Sequence, residues 1–228
     1  VIWNTLWLLK PGLGNVVNNS KSAENLLHIA LLAAEEAHGA HHPSVALALN
    51  NLGQWYRGSG RLEEAEFLFH RALTMASPRS TETASIYFNL GGLEHARGRY
   101  ERAELYARQA CQIRLLSRTT EHPDYATDES LLASILDSLG KYTEAEPLYW
   151  HALSVFEQTL GSEHHEIAIH LNNMAANCFS RRDFEGAEEL YRRALEIKGK
   201  KLGPNHPSYE ITAKNLAMVR NLRQQRRK

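Results

Sequence analysis

The sequence lacks the residues that staple small secreted domains and those that cross membranes. Only two cysteines, Cys111 and Cys178, occur in 228 residues. That excludes a disulfide framework and fits a reducing, cytoplasmic compartment. Both thiols are expected inside helices as buried, inert groups. Net charge is also missing, with 26 Lys+Arg against 26 Asp+Glu. A dedicated nucleic-acid binder draws its affinity from neutralising phosphates, so no nucleic-acid partner is expected. No run of about 18 apolar residues exists, so no membrane span is expected. The phosphate-binding pattern G-x-x-x-x-G-K-[ST] and the zinc-hydrolase pattern H-E-x-x-H are both absent. Gly58-Ser59-Gly60 reads as a turn between helices, not as a nucleophile elbow. The paired cysteines of a zinc module are lacking, so His38, His41, His42, His164 and His165 read as helix-start or loop histidines. The expectation is a non-enzymatic chain without metal or cofactor.

Charge is unevenly placed. Residues 181–228 hold 13 Lys+Arg and 6 Asp+Glu, and Arg223 to Lys228 form a basic tail. That tail reads as a solvated helix end, with cations near the negative pole of the helix dipole. Residues 1–20 differ from the rest: an apolar stretch containing Trp3 and Trp7 stops at Lys10-Pro11-Gly12. Two readings stand for it, a packing or capping piece and a sticky segment that docks on a partner or in a groove. Nothing charged precedes the apolar stretch, unlike a signal peptide.

What is present is a repeat. Asn50-Asn51-Leu52-Gly53 recurs as Phe88-Asn89-Leu90-Gly91, Asn172-Asn173-Met174-Ala175 and Lys214-Asn215-Leu216-Ala217. Gly60-Arg61-Leu62-Glu63-Glu64-Ala65-Glu66 recurs from Gly98, from Gly140 and from Arg182. His42-Pro43, His122-Pro123, His164-His165 and His206-Pro207 mark a third anchor. The period is 42 residues, shortened to 38 between the first two full units.

Each unit reads as two helices. Leu49, Leu52, Gly53 and Tyr56 form the i, i+3, i+4, i+7 stripe of an amphipathic first helix. Gly60 ends it, and Ala65, Phe69 and Ala72 form one face of the second helix. The small residues allow close approach while Tyr56 and Phe69 fill the adjoining space. Proline after histidine suits a helix start, where no hydrogen bond is lost.

The pattern Leu49, Leu52, Gly53, Tyr56, Gly60, Ala65, Phe69, Ala72 resembles the tetratricopeptide repeat. Leu160-Gly161-Ser162-Glu163-His164, Leu202 to Pro207 and Ala187 to Ile197 resemble more specifically the 42-residue repeats of kinesin light chain. The resemblance covers about residues 21–228 and implies an all-α, right-handed α-solenoid. The register places a second-type helix at 22–38, full pairs at about 43–77, 80–117, 123–160 and 165–202, and a last first-type helix at 207–226. Pro11, Gly12 and Gly14 argue against a regular helix over 1–17. Glu94, Ala107 and Arg182 depart from the Tyr, Phe and Gly of the pattern. The 38-residue spacing and Ser77-Pro78 imply a shortened second helix in the first full pair.

First helices of such a stack line its concave side, and the resemblance implies a groove that binds peptide segments of partner proteins. Helical phase selects the groove-facing candidates Asn50, Asn51, Gln54 and Arg57, then Phe88, Asn89 and His95, then Leu131 and Ser134. Asn172, Asn173, Phe179, Lys214 and Asn215 complete the set. Asn51, Asn89, Asn173 and Asn215 share one repeat position, and Asn is a mediocre helix former. Its amide offers a donor and an acceptor, which suits either a ligand backbone or bonds within the stack. Leu131 interrupts the series; Leu131, Phe88 and Phe179 suit instead an apolar pocket. The leading expectation is a protein-protein scaffold or adaptor. The alternatives are a regulatory or sensor array of a larger signalling protein, such as a signalling ATPase, and self-association through the chain ends.

Overall fold

The computed structural model describes residues 13–117 and 120–226, which form ten helices and no strand among the described residues. They divide into two compact units. The first holds α1 (Leu13–His38), α2 (Pro43–Gly58), α3 (Leu62–Leu73), α4 (Thr81–Ala96) and α5 (Tyr100–Ser117). The second holds α6 (Pro123–Ser138), α7 (Tyr142–Leu160), α8 (His165–Ser180), α9 (Phe184–Leu202) and α10 (Pro207–Arg226). The most extensive contacts join α2 with α3, α4 with α5, α6 with α7 and α8 with α9; each pair then packs on its neighbour within its unit. This is an all-α solenoid of helix pairs. The expectations for Trp3, Trp7 and Arg227-Lys228 lie outside the described residues.

One expectation is corrected. α1 begins at Leu13 and not at residue 22, so Gly14 sits within it. Gly14 lies in the first turn, where a glycine costs less than in a helix interior.

Small residues set the spacing inside a pair. Ala65, Ala72, Ala103, Ala107, Ala110, Ala145, Ala152, Ala187 and Ala194 are all at most 1% exposed. Gly53 lies over the ring of Phe69, and a Cβ there would come within 2.7 Å of Phe69 Cε1. Glu94, standing where the pattern has tyrosine, is 1% exposed. Its carboxylate faces Arg97 Nη1 at 3.0 Å, Arg102 Nε at 3.3 Å and Arg99 Nη1 at 3.6 Å. Several cations around it offset the desolvation of a buried carboxylate.

The helices start by a device that the sequence only hints at. His42, His122, His164 and His206 each accept a hydrogen bond at Nδ1 from the backbone N–H two residues on, at 3.1–3.4 Å. The imidazole thus satisfies a donor that a helix start leaves orphaned. Ser80 Oγ does the same for α4 through Thr83 N.

Neighbouring pairs are tied by a recurrent glutamate. Glu24, Glu66, Glu146 and Glu188 occupy one repeat position on the second-type helices. Each binds an arginine of the next repeat: Arg61 (2.7 Å) at the start of α3, and Arg97 (2.6 Å), Arg181, and Arg220 with Arg223 (2.9 and 2.8 Å) towards the C-terminal ends of α4, α8 and α10. Such half-exposed pairs contribute roughly 0.2–1 kcal/mol each. Cations at helix C-termini also meet the negative end of the dipole.

The turn inside each pair needs a left-handed residue. Gly60, Gly98 and Gly140 supply it in three pairs (φ 82°, 74° and 73°), and Arg182 adopts it in the fourth at φ 63°. A residue with a Cβ is strained there. Arg182→Gly is therefore expected to stabilise the chain by about 0.5–1 kcal/mol, after the loss of unfolded-state entropy is counted. Urea unfolding of the two proteins measures this.

Candidate functional site

The groove-facing candidates lie on the first-type helices, and the two units are taken separately. On α2 and α4, Asn51 and Gln54 are exposed, whereas Asn50 (8%) and Asn89 (2%) are enclosed. Asn89 Nδ2 donates to Asn50 Oδ1 at 2.9 Å, linking α2 to α4. Asn89 Oδ1 is buried and has no hydrogen-bond partner. Arg57 is half-buried and its guanidinium lies against Gly92, where any Cβ would collide with it. Desolvation lowers the pKa of Arg57 from its usual value. Burial pushes His95 down to about 4, so its ring, 5.3 Å from that of Tyr100, is neutral at pH 7. Phe88 is half-buried beside them in sequence, and Leu47 adds an apolar side chain that is 52% exposed.

On α6, α8 and α10, Leu131 is enclosed at 2% exposure and Ser134 is half-buried. Asn172 Oδ1 accepts from Thr212 Oγ1 (3.2 Å), and Lys198 Nζ donates to the same hydroxyl (2.7 Å). Burial of Lys198 pushes its pKa down to about 8. Asn173 Oδ1, like Asn89 Oδ1, is buried without a hydrogen-bond partner. Burial raises the pKa of Tyr191 to about 12, and the neighbouring Asn215 partly opposes this. Phe179 packs on Phe184 with ring centroids 5.8 Å apart. Lys214 is exposed and stands between Ile211 (39%) and Met218 (46%) on α10.

The candidates thus separate into two kinds. Asn50, Asn89 and Leu131 are closed over by neighbouring helices, and Asn172 bonds within the stack while Asn215 is half-buried. Asn51, Gln54 and Lys214 present open side chains, with the half-buried Arg57, Phe88, His95, Ser134, Asn173 and Phe179 between these extremes.

Helical phase missed a polar network beside these positions. Tyr149 Oη donates to Asp137 Oδ2 (3.0 Å) and Asn177 Nδ2 donates to Asp137 Oδ1 (2.5 Å), joining α7, α6 and α8. Asn177 also donates to Tyr142 O (3.2 Å). Burial outweighs these bonds and raises the pKa of Asp137 to about 6. Next to it, Ser130 Oγ and His170 Nδ1 are 3.1 Å apart, and His170 stacks on Phe156 at 4.2 Å. Burial pushes His170 down to about 4. Glu129 and His151 pair at 2.5 Å, with burial raising the Glu129 pKa. Polar residues on the packing side of a helix are the sequence mark of such a network.

The thiol of Cys178 is buried and pushed up to about 11, first by desolvation. Among the described residues no group of three or more His, Cys, Asp or Glu side chains is placed to hold a metal ion. No described helix is long and apolar enough to cross a membrane.

The tetratricopeptide repeat family matches residues 18–77, 83–124, 124–200 and 166–228. Clustered mitochondria protein homologues of Aspergillus fumigatus and Aspergillus oryzae are 27% identical over 152 residues, which is 64% of this chain. The matched region spans 12% of the length of those relatives. The crystal structure of BtubC from P. vanneervenii superposes with a TM-score of 0.70 at 23% identity, covering 92% of this chain and 84% of that one. The TPR-like repeats of a kinesin light chain protein of Podosopora anserina give 0.69 at 23% identity, covering 82% and 90%. The apo form of RapI gives 0.67 at 18% identity, covering 79% and 64%. These structures share the fold.

The Asp137 network has a pH signature. Its folded pKa of about 6 lies above the usual 3.8, so the folded state holds this proton more tightly. That contribution is full below about pH 4 and is lost as pH rises through about 6, costing roughly 1–3 kcal/mol. Urea midpoints between pH 4 and 7.5 are expected to fall more steeply for the wild type than for Asp137→Asn.

Proposed function

Because this chain belongs to the tetratricopeptide repeat family, we propose that it is a non-enzymatic, cytoplasmic scaffold whose first-type helices bind an extended segment of a partner protein. One observation carries the reading. Asn51 and Gln54 hold exposed side-chain amides on one side of α2 that no hydrogen bond within the described residues engages. An amide offers both a donor and an acceptor, so the backbone N–H and C=O of a bound segment would meet them whatever its side chains. Ile211 and Met218 offer apolar contact on α10. Recognition would then rest on main-chain hydrogen bonds, with side-chain preference set by the apolar and charged neighbours.

A second reading concerns the setting of the array. Its relatives are much longer than the region they share with it, which favours a regulatory interaction module within a larger protein. The two readings are compatible, since a module of that kind would still bind through its helices.

The test is a screen of the purified chain against tiled peptides, beside a variant carrying Asn51→Ala and Gln54→Ala with helicity checked. At least about tenfold weaker binding by the variant is expected, the scale of two lost hydrogen bonds. Undiminished binding by a folded variant would remove these amides from recognition.

A further inference from the structure

The short α3 leaves a gap beside α5. α3 has 12 residues, against 18 in α5 and 19 in both α7 and α9. Its missing turns would have packed beside the C-terminal half of α5. Instead the chain turns away through residues 74–80, pinned where Thr83 Oγ1 donates to Ser77 O at 2.8 Å. A cavity of about 500 Å³ remains between the end of α3, the start of α4 and α5. That lies within the range of roughly 300–1,000 Å³ typical of binding pockets.

The lining is chemically specific. Leu73, Ala76, Tyr87 and Ile113 make an apolar floor, and Leu116 at its rim is 64% exposed. Gln109 and Gln112, both exposed on α5, bring side-chain amides to one wall. Arg79, from the segment between α3 and α4, is the one charged residue among the described residues of the lining. Arg79 is exposed and held at φ 64°, a conformation that is costly for a residue with a Cβ. No hydrogen bond or ion pair occupies the side chains of Arg79, Gln109 or Gln112 among the described residues.

We propose that this cavity is a second docking site, on the side of the second-type helices, for a partner segment that inserts one large apolar side chain and carries a carboxylate beside it. The apolar floor takes the side chain, the two glutamine amides take the segment's backbone N–H and C=O, and the guanidinium takes the carboxylate. Free amides on the wall favour a peptide over a simple fatty acid, which has no backbone to engage them. The site is separate from the first-helix amides and does not depend on them.

The test uses the full chain with methyl-labelled Leu, Ile and Ala, titrated with capped peptides bearing a central leucine or tryptophan flanked by glutamates. Matched peptides carry lysines in place of the glutamates. Expected are saturable shifts at Leu73, Ala76, Ile113 and Leu116 with the glutamate peptides, and binding about tenfold weaker or absent with the lysine peptides. Arg79→Gly removes the cation and relieves the left-handed strain, so it is expected to raise the thermal midpoint while weakening the glutamate peptides severalfold. Equal binding of both peptide sets, unchanged binding by Arg79→Gly, or no shift at these methyls would overturn the proposal. So would methyl shifts that follow protein dilution, since a second copy would then fill the cavity. Shifts on Trp3→Ala or Trp7→Ala without peptide would assign it instead to the chain's own first residues.

Discussion

Close approach of two helices is the condition on which everything else in this chain rests. Within each pair, alanines at most 1% exposed line the seam, and at Gly53 even one methyl would strike the ring of Phe69. Dispersion contacts across such a seam are individually small, but they are many and steep in distance. The seam is also tolerant in one direction. Where the second helix lacks its phenylalanine, at Ala107, the residue is still fully enclosed.

The junctions between pairs add direction to an apolar core that runs through them. Leu31, Leu49, Phe69, Ile86 and Leu90 belong to one buried cluster reaching from α1 to α4. Beside it, glutamates reach arginines of the neighbouring repeat, and in the second unit Lys198 bonds Thr212 and Asp137 bonds Asn177. Directional bonds of modest strength fix register without adding much cohesion. Apolar burial holds the pairs together, and the polar contacts specify how they stack.

Much of this was legible in the residues. Glycine at Gly60, Gly98 and Gly140, proline after His42, His122 and His206, and small residues at the seam each report a backbone or contact requirement at one position. The start of α1 was not legible, because glycine opposes a helix in its interior far more than in a first turn, where Gly14 lies. The imidazole caps escaped notice because histidine is rarely read as an acceptor at a helix start. The glutamate ties escaped because the shortened period disguises them. Arg97, Arg181 and Arg223 all stand one residue before the turn position, yet Arg97 lies 31 residues beyond its glutamate and the other two 35, while Arg61 stands one residue after that position. At the candidate site, helical phase chose a side of each helix and no more. Whether Asn50, Asn89 or Leu131 is open or covered depends on the next helix, which no single-helix pattern encodes.

The locality of the contacts bears on how the chain comes to be folded. Hydrogen bonds between helices span 10 to 44 residues, from Lys198–Ser208 to Arg226–Arg182, with His28–Tyr56 between. None of them waits for a distant part of the chain, and loop-closure entropy is correspondingly small. Each pair is complete once about one period of sequence is available to it. Such a chain is suited to folding stepwise as it leaves the ribosome, its first pairs closed before the last are translated. Apolar seams are then exposed only briefly and one at a time, which limits the opportunity for aggregation during synthesis.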